Sequence, residues 1–94
     1  MLSKQQNKQL TSLIRGILLQ HWDPIGVQHE PLAQSEYDTY IPGIISRLVS
    51  GANVRGLKDY LCQIVVEQMG LPVDLDRTAR AIERIQIAYK QVSA

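Results

Sequence analysis

The run Trp22-Asp23-Pro24-Ile25-Gly26 divides the chain in a way that few folds can ignore. A residue before proline is disfavoured from the right-handed helical region, because the proline ring collides with its backbone and Cβ. A helix arriving from the N-terminal side therefore ends near His21 or Trp22,. Gly26 then admits a tight turn or a close backbone approach. Trp22 is the single tryptophan, and its large apolar surface predicts an anchor docked against a core, with an indole N–H that can still find an acceptor. Asp23 is best read as a side chain that holds local backbone amides.

On either side of this junction the apolar residues keep a helical period. Leu10, Leu13, Ile14, Ile17 and Leu18 recur at spacings of three and four and predict an amphipathic helix over about residues 5–21. Gly16 costs that helix about 1 kcal/mol relative to alanine, which a close approach by another helix would explain. Residues 22–34 carry Pro24, Gly26 and Pro31 and no sustained period, so they form the longest loop, either an ordered surface crossover or a binding surface.

Ser35 and Asp38 resemble a capping box, with Asp38 in the place of the usual Glu or Gln. Tyr37, Tyr40, Ile41, Ile44, Ile45, Leu48 and Val49 continue an apolar face interrupted by Pro42-Gly43. Either one helix over about 36–50 bends at Pro42, or a short turn precedes a helix that begins near Pro42. The period stays in phase across the proline, which favours the bent helix.

Gly51 ends this segment and Asn53 caps the next, which carries Leu57, Tyr60, Leu61, Ile64, Val65 and Met69 and stops at Gly70-Leu71-Pro72. Asp74 or Asp76 opens the last helix, with Leu75, Ala79, Ile82, Ile85, Ala88 or Tyr89, and Val92 on its apolar side,. These segments predict an all-α fold: one compact four-helix domain over residues 1–94, with an ordered loop between the first and second helices.

Composition narrows the function classes. Ten basic and nine acidic side chains leave a formal charge of +1, too little for a field that draws the chain to nucleic acid or an anionic membrane. Arg77, Arg80 and Arg84 could form a basic ridge, but Asp74, Asp76 and Glu83 are interspersed with them, and a solvated helix face is the simpler reading. The apolar run Ile17-Leu18-Leu19 is far shorter than a membrane span, and no signal peptide is evident. The lone Cys62 lies in a helical apolar pattern, which fits a core thiol and a reducing, cytoplasmic setting.

Residues with chemistry to offer gather near the junction: His21, Asp23, His29, Glu30, Glu36 and Asp38. Their spacing matches no metal motif. There is no His-Glu-x-x-His pattern and no second cysteine, and no cofactor is implied. A small metal-assisted hydrolase built on His21, Asp23, His29 and Glu30 remains an alternative that requires these side chains to converge. His21 suits a helix end, where an imidazole can cap a carbonyl. The other feature is an aromatic and acidic edge, comprising Trp22, Asp23, Glu30, Glu36, Tyr37 and Tyr40, which could meet a protein partner.

The signature Trp22-Asp23-Pro24-Ile25-Gly26, followed by Glu36-Tyr37-Asp38-x-Tyr40, the Leu48-x-x-Gly51 helix end and the Glu67-x-Met69-Gly70-Leu71 helix end, resembles that of small bacterial helical proteins of unknown function. The resemblance spans roughly His21 through Leu71. It implies an all-helical cytoplasmic domain, some similar proteins looking like members of toxin-immunity neighbourhoods, and it carries no catalytic assignment. The expectation is a noncatalytic protein-binding domain, toxin-neutralising or regulatory, that uses the six-residue edge. A structural protein or a weak nucleic-acid-binding module is a further alternative, and the sequence sets no oligomeric state.

Overall fold

Ser3 and Gln6 close a capping box at the head of the first helix. The Ser3 hydroxyl accepts from the Gln6 amide, and the Gln6 side chain accepts from the Ser3 amide, so two otherwise unpaired donors are satisfied. The computed structural model describes residues 2–93. Its four helices are α1 (Lys4–Ile17), α2 (Ile41–Val49), α3 (Val54–Gln63) and α4 (Leu75–Ser93), and no strand occurs among the described residues. The fold is the all-α four-helix domain that the apolar periods predict.

Two helices finish in a wider coil than they start. α1 runs on into a π-helical turn at Leu18–Trp22 and α3 into another at Ile64–Gln68, closed by Asp23 N–H donating to the Leu18 carbonyl at 2.7 Å and Met69 N–H to the Ile64 carbonyl at 3.2 Å. The consecutive pairs Leu18-Leu19 and Ile64-Val65 are both buried there. A strict 3.6-residue period sets neighbours about 100° apart, and the wider turn lets the apolar run keep facing inward.

The helices pack as a ring, α1 against α2, α2 against α3, α3 against α4 and α4 against α1. Hydrogen bonds at both ends fix α1 and α4 as antiparallel. Gln6 Nε2 donates to the Val92 carbonyl at 3.0 Å, and Arg77 Nε donates to the Trp22 carbonyl at 3.2 Å. Each bond satisfies a carbonyl at a helix end, where no partner exists within the helix. The core contains Leu10, Ile14, Leu18, Ile44, Leu61, Ile82 and Ile85 among its most enclosed side chains.

The expected caps at Gly51, Asn53, Gly70 and Asp74 are present. Gly51 and Gly70 have φ of 83° and 64°, Asn53 Oδ1 accepts from Gly56 N–H, Asp74 Oδ1 accepts from Arg77 N–H, and Leu71 N–H reaches back to the Val65 carbonyl.

Several expectations fail. No bent helix spans 36–50. A 3₁₀ turn at Asp38–Tyr40 leads into α2, which starts at Ile41 with Pro42 in its first turn, where the missing N–H costs nothing. Ser35 and Asp38 make no capping box. The Ser35 carbonyl accepts from Asp38 N–H, while the Asp38 carboxylate takes both prongs of Arg15, at 2.8 and 3.0 Å, and ties α1 to that turn. Cys62 is half-buried rather than enclosed, and Leu13, Val49, Leu75 and Ala79, all expected on apolar faces, are exposed; α4 turns Thr78 and Ala81 inward instead.

The remaining surprise is Gly16. Nothing among the described residues lies within 4 Å of where its Cβ would be, so none of the other helices approaches there and the glycine only raises backbone entropy in the unfolded chain. Gly16→Ala is expected to stabilise the protein by about 1 kcal/mol, read as a higher urea midpoint with an unchanged slope.

Candidate functional site

Asp23 adopts a left-handed conformation, φ 34° and ψ 58°, and is the one non-glycine residue with positive φ among the described residues. It thus leaves the right-handed helical region, as Pro24 requires, but by the left-handed route rather than the extended one. Aspartate tolerates that region better than most side chains, and here the carboxylate is strongly engaged. Oδ1 accepts from Val27 N–H at 2.7 Å and from the Tyr37 hydroxyl at 2.8 Å, while Oδ2 accepts from Gln28 N–H at 3.1 Å.

The Tyr37 oxygen in turn accepts from Ile25 N–H at 3.2 Å. Two side chains therefore hold three amides of one loop. Gln34 Nε2 secures the next stretch by donating to the carbonyls of Gln28 and Glu30, at 3.1 and 2.9 Å, and a short 3₁₀ turn at Pro31–Ala33 follows. Trp22 seals the base, its ring 5.2 Å from that of Tyr37 and inclined at 61°, an edge-to-face arrangement.

This geometry splits the predicted edge. Trp22, Asp23 and Tyr37 are 2%, 8% and 1% exposed, so these three do not form a contact surface. Their aromatic area and hydrogen bonds are spent on the loop and core. Glu30 and Glu36 are exposed and Tyr40 is half-buried, so these three remain available. Asp23 does hold backbone amides, as expected. Trp22 is an anchor, but its indole N–H finds no acceptor and is the single buried unpartnered side-chain polar atom among the described residues.

The residues proposed for hydrolysis are not brought together. No group of three or more His, Cys, Asp or Glu side chains converges among the described residues, and Asp23 is committed to the loop. His21 lies in the last turn of the π segment, the helix end its position suggests, and His29 is exposed. On α4, Arg77 is turned inward to the Trp22 carbonyl, which removes it from a basic ridge with Arg80 and Arg84.

Two features escaped the sequence reading. Leu32 is 99% exposed at the middle of the Pro31–Ala33 turn, on a loop whose backbone is held on both sides. An isolated leucine in an otherwise aperiodic polar stretch is the one signal that marked it. The second is Arg47, whose guanidinium lies over the Tyr60 ring at 3.7 Å; nothing in the spacing of the two residues announces that pairing.

Comparison of the chain with protein-family models, curated proteins and solved structures finds no match. No helix among the described residues is long and apolar enough to cross a membrane.

Burial, foremost, and the hydrogen bond to Asp23 push the Tyr37 phenol well above its ordinary value near 10, against the opposing donation from Ile25 N–H,. The folded chain therefore holds this proton more tightly than the unfolded chain does. The resulting stability is fully present below about pH 10 and is lost as pH rises towards the folded value. Tyr37→Phe is expected to lower stability at neutral pH by about 1 kcal/mol and to flatten part of the alkaline loss, measured by urea denaturation across that range. Asp23→Ala strips acceptors from two amides and a buried hydroxyl and is expected to cost about 3 kcal/mol. A loss no larger than that of an ordinary surface substitution would show that the carboxylate does not hold the loop.

Proposed function

We propose that this protein acts by binding another protein, without catalysing a reaction, through the loop between α1 and α2. The observation that carries this reading is the full exposure of Leu32 on a loop pinned by Asp23, Tyr37 and Gln34. An apolar side chain on a mobile loop pays ordering entropy when it docks, whereas a pre-set loop has already met that cost in folding. Complete burial of one leucine is worth about 1.5–3 kcal/mol, or roughly ten- to hundredfold in affinity.

Glu30 and Glu36 flank this leucine in sequence and are exposed. The complementary surface is an apolar pocket with a basic rim, in which the acidic side chains steer encounter and the leucine supplies the buried contact. Neutralisation of a toxin or regulation of an enzyme by occlusion fits this mode and the resemblance to immunity-like bacterial proteins. The cytoplasm is the compartment consistent with the unpaired Cys62.

The test begins with capture of the partner from the native cell and continues with both purified components. Leu32→Asp is expected to weaken binding at least tenfold while leaving the melting temperature unchanged, because the side chain has no packing to lose. Glu30→Lys with Glu36→Lys is expected to slow association and reverse its salt dependence. A partner that binds both variants as tightly as the parent would place the interface elsewhere.

A further inference from the structure

Arg47 is fixed in place by two contacts and paired with no carboxylate among the described residues. Its guanidinium carbon lies 3.7 Å from the centroid of the Tyr60 ring, and Nη1 donates to the Gly43 carbonyl at 3.1 Å. The ion pair found among the described residues is that of Arg15 with Asp38, so no acidic side chain there lies within 4 Å of Arg47. Nε and Nη2 meet no protein acceptor among the described residues.

The stack depends on Gly43. A Cβ at that position would collide with the Tyr60 hydroxyl and come within 2.8 Å of its Cζ, so the missing side chain on α2 lets the tyrosine of α3 lie across it. Beside the stack is an open cleft of about 420 Å³ between the 3₁₀ turn, α2 and the end of α3, walled by Tyr40, Arg47, Tyr60, Gln63 and Ile64 among others. No acidic side chain among the described residues lines it. Tyrosine rings and Ile64 supply apolar wall, and the guanidinium supplies a planar fork of donors.

We propose that this cleft binds a carboxylate carried on an apolar or aromatic group. A guanidinium presents two parallel N–H bonds to a carboxylate, and one positive charge balances one carboxylate. A phosphate dianion would be left with uncompensated charge, since no lysine or second arginine among the described residues lines the cleft. A cation would be repelled. The hydrocarbon part of the ligand rests on the tyrosine faces, where apolar area is removed from water. The carboxylate could belong to a free small acid or to the C-terminus of a peptide. The assignment is independent of the loop reading, because Leu32→Asp leaves every contact of the cleft intact.

Titration of the intact protein with 3-phenylpropanoate, followed by amide chemical shifts, is expected to give saturable shifts centred on Tyr40, Arg47 and Tyr60, with a dissociation constant on the order of 1 mM. The neutral analogue 3-phenylpropanamide is expected to bind at least tenfold more weakly. That comparison needs no variant and so does not depend on any variant folding. Arg47→Gln should abolish binding, and Arg47→Lys, which keeps the charge but loses the fork, should weaken it severalfold. Gly43→Ala should displace the Tyr60 ring and weaken binding as well. A short peptide ending in phenylalanine with a free carboxylate separates the two sources: tighter binding than the small acid assigns the site to a chain terminus, and weaker binding assigns it to a free acid. Absence of saturable shifts at about 10 mM phenylpropanoate, equal binding of the amide, or tighter binding of inorganic phosphate would overturn the proposal.

Discussion

The carboxylate of Asp23 is the contact on which the connection between α1 and the rest of the molecule depends. A left-handed aspartate before proline is a costly backbone conformation, of the order of 1–2 kcal/mol for a residue with a Cβ. It persists because its side chain meets Val27, Gln28 and Tyr37 in one place. The consequence extends well beyond a turn. Tyr37 is drawn into the core by the same bond, Trp22 closes over it edge to face, and the chain that follows enters α2 from a defined position. A loop as long as this one would otherwise be the least ordered part of a small helical domain. Here its amides are consumed by side chains that belong to the core.

The helical ring is joined in a related way. The α1 and α4 ends are stitched by side chain to backbone hydrogen bonds, Gln6 to Val92 and Arg77 to Trp22, which supply carbonyl partners that the helices cannot provide themselves. Gln6 serves both in its own capping box and on α4. Arg77 is held between the Trp22 carbonyl and the cap at Asp74. Arg77, which looks like surface charge in the sequence, is therefore structural.

What remains for the proposed recognition is small and specific. The loop presents Leu32 and two glutamates, and the far side of α2 presents an arginine immobilised on a tyrosine. Both share one physical property, namely that the group offered to the proposed partner sits on backbone or side chains already held in place. Pre-ordering reduces the entropy lost on binding, and it lets a 94-residue chain with almost no net charge offer contacts of definite shape.

The sequence alone determined the helical class, four helices, and the caps at Gly51, Asn53 and Gly70, because period and capping are local properties of a few adjacent residues; between Asp74 and Asp76 at the head of α4 it left the choice to the structure. It also marked Trp22 as an anchor and Asp23 as a holder of amides. Only the tertiary structure decided which face Tyr37 turns, since both a core and a surface role fit its spacing, and its bond to Asp23 spans fourteen residues. The partner of Asp38 was equally hidden. A carboxylate near a candidate helix start reads as a cap, but Arg15 on α1 approaches it in space and accepts no sequence rule. Gly16 and Gly43 make the same point from opposite sides. The first sits in open space and the second beneath Tyr60, and two glycines in apolar helical segments cannot be told apart until the neighbouring helices are in place.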